Sequence, residues 1–193
     1  MLKWLAKKWA LNDPLPEKAD VIAVISYAAT KDRLTNSSQK VMDLARNLSD
    51  RYPRALVAWG SFSKNSNNLE QKIKRVVLPN SLYVGQVSSS TDECEIIKLA
   101  TSLARRSTQK IIVVSEGAHS RRCKRVWKYF FPKSEICFQS VPAWEAADEK
   151  NPMWFQRYWR VWFLINLIAD FLAYRWKPVL EFMIRRNFSQ PAS

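Results

Sequence analysis

The segment from Ile111 to Arg122 constrains the fold of this chain more than any other. Its residues are Ile-Ile-Val-Val-Ser-Glu-Gly-Ala-His-Ser-Arg-Arg, a β-branched run that stops at Ser115 and Gly117. A helical pattern follows, and it opens with His119, the protein's single histidine. A buried strand, a sharp turn and a helix start predict one unit of an open α/β sheet. Such sheets bind ligands at the carboxyl ends of their strands, so a site is expected at this turn.

Short apolar runs alternate with helical patterns from Ala19 onward, which is typical of βαβ units around a parallel sheet. The predicted strands are Val21–Ile25, Ala55–Trp59, Ser81–Gly85, Lys110–Ser115 and Glu135–Gln139. Helices are predicted from Asn36 or Ser37 onward, over Leu69–Val77, after a capping box at Ser90–Glu93, and from about His119 to Phe131. We therefore expect a Rossmann-like three-layer α/β sandwich with a mostly parallel sheet of about five strands.

The two ends of the chain differ from the α/β domain predicted over residues 19–150. Residues 1–18 form a basic amphipathic segment, whose helix could lie on a membrane surface or pack onto the domain. Residues 151–193 predict a long aromatic-rich C-terminal helix, which could close the sheet or form a membrane-interface or self-association surface. Asn166 and Asp170 interrupt its apolar run, which is too short and too polar for a transmembrane helix.

The composition indicates an anionic partner and a reducing compartment. Thirty-one Lys and Arg residues oppose seventeen Asp and Glu residues, and the formal net charge of +14 favours nucleic acid, anionic lipid or phosphorylated metabolites. Cys94, Cys123 and Cys137 have no C-x-x-C spacing and one histidine accompanies them, so no metal site is expected. They indicate reduced thiols of a cytoplasmic protein, with peripheral attachment at the inner membrane as a further expectation. Residues 1–9 lack the features of a signal peptide.

Loops at the strand ends collect the residues with candidate chemistry. Helix N-termini there offer N–H groups to an anion, and Arg33 and Arg122 could clamp a phosphate or carboxylate. His119, whose ordinary pKa is about 6.5, is the candidate acid–base. Structural roles compete with each of these: His119 could simply cap a helix, and Arg33 could pair with Asp32 or another surface carboxylate. The sequence has no P-loop, G-x-G-x-x-G, H-E-x-x-H or G-x-S-x-G motif, so catalysis stays an open question.

The ordered set of these pieces resembles the domain-of-unknown-function family that includes SanA, ElyC and YdcF. Asp20–Ile25 is similar to the family's opening Asp and apolar strand, and Arg33-Leu34 to its Arg-Leu pair. Ser88–Cys94 is similar to its Ser-x-Asn-Thr-x-Glu-Asn segment, and Val114–Arg122 to its Val-Thr-Ser-x-x-His-x-x-Arg segment. The family's Ser-Gly-Gly is reduced here to Trp59-Gly60-Ser61. The likeness spans residues 19–142.

The resemblance implies a pocket at the strand ends, a link to cell-envelope biogenesis, and S-adenosylmethionine or a nucleotide-like ligand. Our first hypothesis is a domain that binds or processes an anionic metabolite, such as a nucleotide-like or lipid-linked sugar phosphate. The expected ligand-binding residues are Arg33, Gly60, Ser61, Ser88, Thr91, Glu93, Ser115 and Arg122. The second hypothesis is a non-enzymatic membrane-surface or assembly protein that uses both termini. The third, which no recognised motif supports, is nucleic-acid binding through residues 121–128.

Overall fold

Five parallel strands form one sheet in the part of the chain that the structure, a computed structural model, describes: residues 1–62, 68–78, 80–87 and 110–188. The sheet order is β3-β2-β1-β4-β5. The strands are β1 (Val21–Val24), β2 (Leu56–Phe62), β3 (Leu82–Val87), β4 (Lys110–Glu116) and β5 (Glu135–Val141). The predicted Rossmann-like α/β fold is therefore confirmed.

Helices cover both faces of this sheet. They are α1 (Leu2–Trp9), α2 (Asn36–Arg51), α3 (Leu69–Val77), α4 (Ser120–Phe130), α5 (Ala143–Ala146), α6 (Trp159–Ala169) and α7 (Lys177–Phe188). The C-terminal segment is helical as predicted, but a π-helical turn at Asp170–Tyr174 separates α6 from α7. The capping box at Ser90–Glu93 and the helix predicted after it lie outside the described residues.

In the two central strands, β1 and β4, the apolar residues of the sequence are continuous and do not alternate with polar ones. All four residues of β1 are buried, and so is β4 from Ile111 to its end, because helices cover both sides of the sheet. The chain moves from β1 to β2 and β3 in one direction, whereas β4 and β5 lie on the other side of β1. The strand order therefore reverses between β1 and β4, and the space beyond the ends of these two strands is a topological switch point, where open α/β sheets form their binding crevice.

Several element boundaries differ from the sequence prediction: β3 and β5 each extend two residues further, and two other differences bear on the candidate site. Strand β2 runs through Gly60 and Ser61 to Phe62 instead of ending at Trp59, and its register against β3 shifts between Trp59 and Ser61. Such an irregularity lets a strand pass a glycine without ending. Helix α2 is capped by Thr35, whose side chain accepts the backbone N–H of Ser38, and not by Asn36 or Ser37.

Helix α1 packs onto the domain through one of its sides. The sequence had left open whether this helix packs onto the domain or lies on a membrane surface. Trp9 is buried, and its Nε1 donates to the carbonyl of Ala118 at 3.1 Å. Arg121 donates to the Trp9 carbonyl at 2.9 Å and lies over the indole ring. Asp13 then exchanges hydrogen bonds with the backbone of Phe138, so the chain after α1 covers the outer edge of β5.

The close approach of this segment to the β4–α4 turn predicts a steric effect at Gly117. A methyl group there would lie 2.8 Å from Ala10 Cβ and 3.1 Å from the Val141 carbonyl oxygen. We expect Gly117→Ala to lower the free energy of unfolding by about 1–3 kcal/mol, measured by urea denaturation. The double variant with Ala10→Gly removes one of the two clashes and should regain part of that loss. Equal stability of Gly117→Ala and the wild type would contradict this packing.

Candidate functional site

A buried polar cluster centred on His119 lies where the loops after β1 and β4 meet. His119 immediately precedes α4 and is fully buried. Its Nδ1 lies 3.3 Å from the Tyr27 hydroxyl and 3.5 Å from Cys123 Sγ. The Tyr27 hydroxyl accepts the N–H of Glu116 at 2.9 Å, so its own proton is available for Nδ1. This assignment places the imidazole proton on Nε2, which has no hydrogen-bond partner among the described residues.

The surroundings of His119 keep its imidazole uncharged. Burial lowers the pKa of His119 to about 3, because desolvation penalises the protonated ring. The rings of Tyr27 and Trp162 lie beside it, with centroid separations of 6.0 and 5.6 Å. The enclosed imidazole is therefore neutral at neutral pH, and its role as an acid–base stays a prediction.

Helix α6 closes this cluster from the outside. Trp162 Nε1 donates to the carboxylate of Glu116 at 2.8 Å, and Ser37 at the start of α2 donates to the same oxygen at 3.2 Å. Arg122 donates to the side-chain oxygen of Asn166 at 2.9 Å. All five side chains are buried. Arg122, predicted to hold an anion, thus contacts an amide of the chain's own C-terminal segment.

Arg33 binds the carboxylate of Asp148, a residue of the same chain. Two guanidinium nitrogens donate to the two Asp148 oxygens at 2.8 and 3.0 Å, and the backbone N–H of Asn36 donates to the same group at 3.1 Å. Burial raises the pKa of Asp148, but hydrogen bonds from Arg33 and from the N–H groups of Lys150 and Asn36 outweigh it, so the pKa lies below its ordinary value. A charged carboxylate therefore occupies the start of α2, which favours anions.

A second buried cluster joins the ends of β1 and β2 to α3. Glu70 and Lys74 form an ion pair at 3.0 Å with both side chains fully buried. Lys74 also donates to Ser26, and Ser26 donates to the Gly60 carbonyl at 2.7 Å. Ser38 donates to Glu70 at 3.2 Å. Sequence analysis missed this pair because Glu and Lys four residues apart are typical of a solvent-exposed helix face.

The remaining predicted site residues have different placements. Ser61 shares a 2.7 Å hydrogen bond with the Tyr83 hydroxyl on the β3 side of β2. The hydroxyl of Ser115 is buried and has no hydrogen-bond partner within the described ranges. Ser88, Thr91 and Glu93 lie outside the described residues. The start of α2 connects the Arg33–Asp148 pair with the His119 cluster. The backbone N–H of Asn36 contacts Asp148, and the hydroxyl of Ser37 contacts Glu116.

A cavity of about 470 Å³ opens beside the β1–α2 loop. Its lining is Ala29, Thr30, Lys31, Asp32, Lys150 and Pro152. A hydrogen bond from Thr30 lowers the pKa of Asp32, so the lining combines one carboxylate with two ammonium groups. The loop includes Ala28, a buried residue in the left-handed conformation (φ 70°) that L-residues rarely adopt. Such strain is found most often at functional sites.

Metal coordination has no visible basis in the described part of the chain. No group of three or more His, Cys, Asp or Glu side chains is placed there to hold an ion. Cys123 and Cys137 are buried free thiols.

No family model matches this chain, and no curated protein or solved structure matches it either.

The Glu70–Lys74 pair predicts a large cost for removing one charge. Lys74→Met leaves the Glu70 carboxylate buried without its cation, so we expect a loss of about 3–5 kcal/mol in the free energy of unfolding. Glu70→Gln combined with Lys74→Met removes both charges and should lose less than Lys74→Met alone. The exposed pair Lys177–Glu181 has the same spacing, and Lys177→Met should cost less than about 1 kcal/mol. Chemical denaturation of the four proteins measures these differences, and similar losses for Lys74→Met and Lys177→Met would refute the assignment.

The lowered pKa of His119 predicts a specific acid sensitivity. The unfolded chain takes up a proton at this ring near pH 6.5, whereas the folded protein does so only near pH 3. Stability is therefore lost as the pH falls through this window. From pH 7 to pH 4.5, the wild type should lose about 2.5 kcal/mol more than His119→Gln, whose amide does not titrate. Urea denaturation at the two pH values measures this, and identical losses would show that the ring is not buried as a neutral group.

Proposed function

We propose that this protein binds an anionic small molecule at the carboxyl edge of its sheet, in the cavity beside the β1–α2 loop. The observation that carries the proposal is the combination of this cavity with the adjoining start of α2, where Arg33 and the N–H of Asn36 already hold a carboxylate. The Asp148 carboxylate is an example of the negatively charged group that the start of α2 binds. The ammonium groups of Lys31 and Lys150 line the cavity beside this filled position and supply the positive charge that a ligand phosphate or carboxylate requires.

The lining of the cavity suits a ligand with an anionic group on a larger body. Its volume lies within the range of small-molecule pockets, about 300–1,000 Å³. The ammonium groups of Lys31 and Lys150 favour phosphate or carboxylate, and the hydroxyl of Thr30 adds a polar contact. A nucleotide-like compound or a lipid-linked sugar phosphate meets these requirements. S-adenosylmethionine is also compatible, because the Asp32 carboxylate suits its cationic groups and a lysine suits its carboxylate.

The resemblance to the SanA/ElyC/YdcF family is a second support, because that family's pocket lies at the same edge of a similar fold. A role in cell-envelope biogenesis is part of this proposal. Catalysis at His119 is a separate part: Trp162 and Asn166 enclose the cluster around the imidazole, so reaction there requires α6 to withdraw.

Nucleic-acid binding through α4 receives less support from the same contacts. Most basic side chains of residues 121–128 are engaged within the protein. Arg121 contacts the Trp9 carbonyl, Arg122 contacts Asn166, Lys124 contacts Asp13 and Arg125 contacts Asp170. These contacts reduce the charge that α4 can offer to a phosphate backbone.

Thermal unfolding with candidate ligands tests the proposal. The probes are inorganic phosphate, adenosine monophosphate, a uridine diphosphate sugar and S-adenosylmethionine. A ligand at a hundred times its Kd adds about 2.7 kcal/mol to the unfolding free energy, which should raise Tm by roughly 5–10 °C. Lys31→Gln with Lys150→Gln should abolish this shift.

The matched control is Lys72→Gln with Lys128→Gln, which removes the same charge from exposed positions on α3 and α4. This variant should keep the ligand-induced rise in Tm. The proposal fails if no probe stabilises the protein, or if both double variants respond as the wild type does.

A further inference from the structure

The α6 region differs from an ordinary surface helix because large apolar side chains also occupy its outer side. Its buried side makes the polar contacts, through Trp162, Asn166 and Asp170. Its outer side is apolar: Ile168 is 55% and Leu172 71% exposed. A surface helix normally places its apolar stripe toward the core and its polar residues toward water. The other large apolar side chains on this outer side are Leu164 and Phe171.

Aromatic and basic side chains flank this apolar face at both ends. Trp154 and Tyr158 are exposed before α6, and Trp176, 66% exposed, follows the π-helical turn. The basic residues over 154–177 are Arg157, Arg160, Arg175 and Lys177, all exposed. The only acidic residue in that segment is Asp170, which is buried against Arg125 and Arg175. The outer surface therefore carries apolar groups and positive charge.

Helix α1 lies beside the start of α6. The ammonium group of Lys3 lies 5.1 Å from the ring of Trp144, which in turn contacts Trp159 at the start of α6. Trp4 and Leu5 on α1 are exposed, as are its remaining lysines. Both ends of the chain thus present tryptophan and basic residues in one region of the molecule.

We propose that this face, defined as the outer side of residues 154–177 together with the exposed side of α1, docks the protein on an anionic phospholipid bilayer. Interfacial helices bury an apolar side at the headgroup boundary while basic residues contact anionic lipid. Tryptophan and tyrosine at the two ends suit the membrane–water interface. Residues 159–174 span about 24 Å of helix, lying in the membrane plane. Among the described residues, no helix is long and apolar enough to cross the bilayer.

The charge distribution favours lipid over a second copy of this chain. Two copies paired through the same face would bring their basic flanks together without acidic partners, and like charges at an interface disfavour association. An anionic headgroup layer supplies the missing counter-charge. This inference does not rest on the ligand cavity, because Lys31 and Lys150 are not part of the docking face.

Vesicle flotation of the full chain tests the inference. The vesicles contain phosphatidylcholine alone or phosphatidylcholine with phosphatidylglycerol. We expect binding to the anionic vesicles and a loss of roughly tenfold or more for Ile168→Glu with Leu172→Glu. Arg160→Gln with Lys177→Gln should weaken binding to the anionic vesicles by roughly 30-fold.

The control is Val76→Glu, which adds one carboxylate at an exposed apolar position on α3 (81% exposed) and is compared with the single variant Leu172→Glu. It should float as the wild type does, and circular dichroism should show that all variants fold. The inference is overturned if the wild type does not bind, if binding ignores phosphatidylglycerol, or if Ile168→Glu with Leu172→Glu binds normally. It is also overturned if the wild type sediments as a dimer that the same substitutions dissociate, because a second copy then covers the face.

Discussion

The carboxylate of Glu116 is removed from water, and a buried charge is tolerated only where the protein supplies hydrogen bonds in place of solvent. Ser37 from the start of α2 and Trp162 from α6 supply them. The backbone N–H of the same residue binds the Tyr27 hydroxyl, which contacts His119. The end of one central strand therefore determines how the β1 loop, α2, α4 and the C-terminal segment come together.

Much of the fold could be predicted because it depends on local patterns. Continuous β-branched runs identify β1 and β4, and helical spacing identifies α3 over its full length. The path of β2 through Gly60 was not predictable, because a glycine after an apolar run indicates a strand end unless the neighbouring strand is known. The division of the C-terminal helix at Asp170 coincides with the pairing of Asp170 with Arg125, and no local pattern indicates a contact between residues 45 positions apart.

The candidate site was less predictable, because its contacts also join residues that lie far apart in the sequence. Arg33 was expected to clamp a ligand anion, but the group it holds is Asp148, more than a hundred residues later in the chain, and nothing local shows this contact. Arg122 was expected to face a ligand and instead contacts Asn166. Sequence patterns identify which side chains can bind a charge. They do not show whether another side chain of the same protein already binds that charge.

The contacts made by α6 also affect the order of events during synthesis. Glu116 leaves the ribosome well before Trp162, and Asn36 well before Asp148. An N-terminal portion that contains all five strands still lacks two of these hydrogen-bonding groups, the Trp162 indole and the Asp148 carboxylate. Co-translational folding of the sheet is therefore held in an incomplete state until the helices that follow it emerge. A nascent chain stalled before α6 leaves the polar cluster at the end of β4 without the hydrogen bonds of Trp162 and Asn166, and such an incompletely packed chain is a natural target for chaperones.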